Sequence, residues 1–200
     1  MTEQIEETDS GREASDSTRL AVEKTLQQYE SQCAVSEPAR SPLVAGFWTV
    51  LYTTAPPPSN GQLGPFRGLA QQEVDLVSGK YRNILRVPPN DWLTATLEAT
   101  WEEWDGNYLA DDSNGNENPA ESLGKAPLPE VGDYGSSCWV VTFENLVIKL
   151  FGFTVLKQEF ENTKRVWRTT YVDEETRIVR AGRTGRTDDE MVFYMKRSSS

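Results

Sequence analysis

The sequence predicts a mainly β fold, an antiparallel sandwich or barrel of about eight or nine strands preceded by one short helix. Three observations carry this. From residue 46 to residue 197, apolar residues recur with a period of two in segments rich in aromatic and β-branched side chains. The connections are short, apart from two loops. The last strands are not followed by helices, which removes parallel βαβ architectures.

Each element follows from local chemistry. Residues 1–17 are polar and acidic, without apolar periodicity, and read as a disordered start. Asp16, Ser17 or Thr18 can cap a helix. Val22, Leu26, Tyr29 and Cys33 then fall on one face of a helix over about 18–34, which Pro38 and Pro42 end. GFWTVLYTT (46–54) opens the β region, with Trp48, Val50 and Tyr52 on one face and Phe47 and Leu51 on the other. After the loop PPPSNGQLGP, LAQQEVDLVSGKYRNILRV reads as two strands meeting in a hairpin at Ser78-Gly79. DWLTATLEATWEEW (91–104) alternates Leu93, Ala95, Leu97, Ala99 and Trp101 against Thr94, Thr96, Glu98 and Thr100, a strand with one wet face. Residues 105–136 hold seven acidic residues and one base, Lys125, and read as an inserted, mobile surface loop. Its DDSNGNEN lacks the closing acid and flanking helices of a calcium-binding EF-hand. The β pattern resumes in SCWVVTFENLVIKLFGFTVL (137–156), where Asn145 marks a turn or bulge between two strands. It closes with RVWRTTYVD (165–173), TRIVRAG (176–182) and EMVFYMKR (190–197).

Composition narrows function. The net charge of −11 opposes general nucleic-acid binding, which needs clustered Lys and Arg. The stretch YVDEETRIVRAGRTGR looks basic, yet residues 157–197 hold ten bases against eight acids, and strand alternation puts Arg177 and Arg180 on opposite faces. No run of apolar residues is long enough for a transmembrane helix. The absence of histidine removes the commonest general base and metal ligand, and no metal or cofactor is expected. Cys33 and Cys138 lack metal-ligand spacing and are either two thiols or a disulfide; the missing secretory signal favours thiols. A catalytic reading would rest on Glu73, Asp75, Glu98, Glu144 or Cys138, none of them paired by spacing with another.

The segments GFWTVLYTT, QQEVDL, RNILRV, LTATLEATWE, WVVTFENLVIKLFG and TTYVDEETRIVRAGRTG, in that order, resemble the plastid lipid-associated proteins, also called plastid fibrillins or plastoglobulins. The opening pattern is carried by Gly46, Trp48, Val50, Tyr52 and Thr53. The closing one is carried by Thr170, Tyr171, Val172, Asp173, Arg177, Ile178, Arg180 and Ala181. The resemblance covers residues 20 to 197, within a domain read as 18–197. Ala181 stands where the family usually has glycine, the acidic 105–136 segment resembles an insertion, and no transit peptide is visible.

The resemblance implies a lipocalin-like barrel in plastoglobules, thylakoids or stroma. It also implies non-catalytic binding or organisation of apolar metabolites of the quinone, carotenoid or fatty-acid class. An eight-stranded barrel has room for one small ligand, and Trp48, Tyr52, Trp101, Trp139, Phe143, Trp167 and Tyr171 are the candidates to line it. The lipocalin analogy implies that Arg177 or Arg180 covers Trp48 and closes the barrel end, with Gly46 and Asp173 as structural partners. An alternative is a small barrel enzyme acting on a lipid-derived substrate. Another is a coat or adaptor at a lipid surface, for which KLFGFTVL (149–156), with Phe151 and Phe153, supplies an apolar lip.

Overall fold

The computed structural model describes residues 5, 8–107, 109 and 133–198. Its centre is a closed eight-stranded antiparallel barrel in the order β1-β10-β9-β8-β7-β6-β5-β4. The strands are β1 (Gly46–Thr53), β4 (Leu69–Asp75), β5 (Lys80–Val87), β6 (Leu93–Glu103), β7 (Cys138–Leu150), β8 (Phe153–Val172), β9 (Thr176–Gly182) and β10 (Met191–Arg197). A two-stranded hairpin, β2 (Gln62–Leu63) and β3 (Phe66–Arg67), lies in the connection from β1 to β4. This is an up-and-down order, in which first and last strands pair and no edge is left over the paired length.

The helix α1 (Asp16–Glu30) lies against the outside of the barrel. Its cap is Ser15, one residue before the expected positions, whose Oγ accepts from Thr18 N. Val22 and Leu26 are buried against Tyr52, Ile178, Val192 and Tyr194. Cys33 falls beyond the helix end. The chain from Thr8 onward departs from a disordered start. Arg12 donates to Asp9 and to the Asn60 carbonyl, Thr53 N donates to Ser10 O, and Ile5 and Thr8 are buried. Short polar side chains that satisfy their own turns hide this order from a hydropathy reading.

β-bulges account for the other departures. The register of β1 with β10 shifts between Val50 and Tyr52, so Trp48 and Val50 pack inside the barrel while Tyr52 packs outside beneath α1. A second bulge leaves Glu144 unpaired beside Asn145, so of the turn or bulge expected there the structure has the bulge; β7 runs on unbroken and the turn lies at Phe151-Gly152. β8 starts twelve residues before its expected beginning at 165. Its first part is exposed on both faces and pairs with β7 alone up to Arg165, so KQEFENTK shows no apolar alternation. The hairpin at Ser78-Gly79 is present, with Gly79 at φ 67°. The acidic segment read as a mobile loop falls mainly on residues outside those described. Its described ends are held by Arg40, which bridges Glu103 and Asp133, and by Leu109 N donating to Thr184 O.

Candidate functional site

The inward row of β9 is Arg177, Val179 and Ala181, and Ile178 and Arg180 face out, as strand alternation requires. Arg180 therefore does not reach Trp48. It donates to Glu30 at 2.7 Å and Glu23 at 2.8 Å and holds α1 to the barrel wall. Arg177 does turn inward, but its guanidinium lies 5.5 Å from the centroid of the Trp139 ring. The cation over Trp48 is Arg197, at 4.2 Å. Trp48 and Arg197 are direct cross-strand partners in the β1–β10 ladder, so they share the inner face. Arg197 also donates to the carbonyls of Leu43, Ala45 and Glu174, and the Trp48 indole N–H donates to Val44 O. These bonds close one barrel end against the 3-10 turn Pro42–Val44. Gly46, at φ 107°, leaves room for Arg197: a Cβ there would lie 3.0 Å from Nη1. Asp173 builds the β8–β9 turn, accepting from Tyr171 Oη and from the backbone N–H groups of Glu175 and Thr176.

Of the seven aromatic residues expected to line a cavity, the structure brings five toward the interior. Trp48, Trp139 and Trp167 are buried there, with Trp101 and Phe143 partly buried against them. Trp139 stacks on Trp101 with centroids 4.2 Å apart, and Trp167 stacks on Phe193 at 5.3 Å and meets Tyr81 edge-on at 5.0 Å. Tyr52 and Tyr171 belong instead to the outer cluster beneath α1, where Tyr171 meets Tyr29 at 5.6 Å. A void of about 40 Å³ remains at the far end of the core, lined by Val50, Ala70, Leu85, Ala95, Leu146 and Phe193 among others. That is room for about one or two waters; these aromatics fill the interior more than they line it.

From that void an apolar path runs outward. Cross-strand partners share a face, so the inner row Leu85, Ala95 and Ile148 continues into exposed Leu156, and the row Val87, Leu93 and Leu150 into exposed Phe153. The path ends at the β7–β8 tip, where Phe151, Phe153, Val155 and Leu156 are 70%, 77%, 58% and 43% exposed. Phe151 lies 5.8 Å from Trp92, which meets Phe66 edge-on at 5.1 Å, so the tip joins a larger aromatic surface. Sequence reasoning placed Phe151 and Phe153 but missed Trp92 and Phe66, which join them only through tertiary contact.

The acid and thiol candidates lie apart from the interior. Glu73 takes a hydrogen bond from Arg82 on the outer face, and Glu98 is a cross-strand partner of the same arginine. Asp75 caps its own turn through Ser78 and Val77, and those bonds hold its carboxyl below the usual range. Glu144 is exposed in the bulge. Cys138 is buried in a cluster with Trp104, Val140 and Val166, and burial pushes its thiol up. Cys33 and Cys138 are both free and line an outer cleft of about 360 Å³. No group of three or more potential metal ligands occurs among the described residues.

Comparison with known protein families finds no matching family model, and comparison with curated proteins finds no match.

Proposed function

We propose that this protein is a non-catalytic lipid-binding barrel that docks peripherally on a lipid surface by its aromatic end and holds or organises an apolar lipid there. The observation that carries the reading is the apolar path from the core to the exposed Phe151–Phe153 tip. A water-facing tip has no folding reason to carry two Phe, a Val and a Leu, and burying them in a lipid phase removes their contact with water. Phe151 holds a left-handed backbone, φ 50°, at a place where asparagine or glycine costs less. The resemblance to the plastid fibrillins, carried by Gly46, Trp48, Tyr171, Asp173, Arg177 and Arg180, supports the same reading and extends it to plastoglobules or thylakoids.

Flotation with neutral phosphatidylcholine vesicles tests this. Wild type is expected to float, and a Phe151→Asp/Phe153→Asp double variant to lose most of its bound fraction. Burying two phenyl groups is worth about 3 kcal/mol or more, which exceeds a hundredfold in partitioning. Equal flotation of the two proteins overturns the docking surface. The packed interior gives the adaptor reading its own support, since a surface coat needs no internal cavity.

A further inference from the structure

The barrel encloses a cation that the described protein groups do not neutralise. Arg177 is 0% exposed. Its Nε and Nη1 have no hydrogen-bond partner, and Nη2 has only a long contact of 3.5 Å to Thr169 Oγ1. Burial pulls its pKa down to about 10, and the compensating influence comes from Tyr81 instead of a carboxylate. It therefore remains a cation at neutral pH. Other polar groups in the core are equally unserved: both Gln72 side-chain atoms, and the indole N–H groups of Trp101, Trp139 and Trp167. The surplus in the core is of donors: Gln72 Oε1 is the lone acceptor among these groups, and the other unpartnered buried acceptor, Asp189 Oδ1, belongs to the turn between β9 and β10. Buried polar groups in folded proteins are almost always satisfied, and an unpaired buried charge is strongly destabilising. What the set lacks is an anion rich in acceptor oxygens.

The approach to this set is apolar. Phe193 lines the small void, Trp167 stacks on Phe193 and touches Tyr81, and Tyr81 feels the Arg177 charge. Arg177 also shares a cross-strand row with Val50, another residue lining the void, through Met195, so void, aromatic pair and cation are neighbours in the core. A single fixed charge beyond an apolar passage matches a molecule with one negative head and one long apolar tail. The planar guanidinium suits a carboxylate in both charge and shape.

We propose that Arg177, assisted by Gln72, is the head-group anchor of an internal site for a long-chain carboxylate whose tail runs toward the Phe153–Leu156 lip. The proposal rests on the reading that the barrel takes a ligand of the lipid class. Entry displaces the Trp167–Phe193 pair, because the void itself is too small for a hydrocarbon chain.

Binding to the full chain in vesicle-free solution tests it, with oleate, oleyl alcohol and acetate as probes, read by calorimetry and indole fluorescence. One oleate per chain is expected. Oleyl alcohol on wild type, and oleate on Arg177→Met, are each expected to bind at least about tenfold more weakly, as befits loss of a charge-assisted hydrogen bond. Gln72→Leu is expected to fall between, and excess acetate to leave oleate binding unchanged. Equal binding of oleate and oleyl alcohol by wild type overturns the proposal without any variant having to fold. So does undiminished oleate binding by Arg177→Met, competition by acetate matching that of oleate, or no oleate binding at all. Flotation measured in parallel separates the two claims: a protein that floats but shows no oleate preference loses the Arg177 site and keeps its docking surface.

Discussion

Phe151 shows how much one residue's backbone conformation can say. It and Gly152 form a two-residue turn with φ of 50° and 83°, a geometry in which asparagine-glycine is the favoured pair. A bulky side chain there gives up about 1 kcal/mol, and its ring is left 70% exposed. Stability therefore argues against phenylalanine at this position. Phe151→Asn is expected to raise the urea midpoint by an amount equivalent to about 1 kcal/mol and to reduce vesicle flotation. A variant that is both less stable and fully lipid-bound would remove the link between the turn and the surface. Arg197 makes a second point at this scale. In the sequence it is one of the last charged residues of a polar terminus, and only the β1–β10 register reveals that it sits across from Trp48.

Among elements, the attachment of α1 is decided by a few contacts. Val22 and Leu26 bury their side chains on the barrel wall, and Arg180 meets Glu23 and Glu30 in a bridge whose Arg and Glu30 side chains are only 14% and 15% exposed. Burial works against the Arg180 charge, yet the two carboxylates hold its pKa above the ordinary value. Removing one partner leaves two acids half-hidden without a cation. Arg180→Met is expected to cost about 3 kcal/mol, read as a lowered thermal midpoint, and to raise hydrogen exchange in residues 16–30 first. Unchanged exchange there would show that apolar packing alone holds the helix. Alternation from Thr176 onward leaves open which side faces out, and only that Arg180 points away from Arg177 was legible. That its partners are on a helix some 150 positions earlier was not. The long β8 was illegible for a different reason. Its first part makes no core, so nothing selects apolar residues at alternate places, and only pairing with β7 reveals the strand.

For the molecule as a whole, charge and the apolar end pull in different directions. A net charge of −11 repels anionic surfaces, while the Phe151–Leu156 tip and the Trp92–Phe66 pair are indifferent to lipid charge. Flotation is expected to be weaker on anionic than on neutral vesicles at low salt. The difference should close near 1 M salt, where the screening length falls to about 3 Å. A preference for anionic vesicles at low salt would mean that local lysines and arginines near the tip govern docking instead.

Local patterning in the sequence carries the class of fold, the hairpin at Ser78-Gly79, the placement of Arg177 and Arg180 on opposite faces, and the apolar character of the Phe151–Phe153 turn. All of these follow from local period and turn chemistry, which neighbouring residues carry. Only tertiary contacts set which side of the wall Tyr52 and Tyr171 occupy, which arginine covers Trp48, and that Arg177 lies against the Trp139 ring without a carboxylate partner in a filled core. A bulge shifts a strand by one residue and sends the next side chain to the other face, and a partner across a closed barrel is set by register. Neither leaves a mark within the few residues over which sequence periodicity can be read.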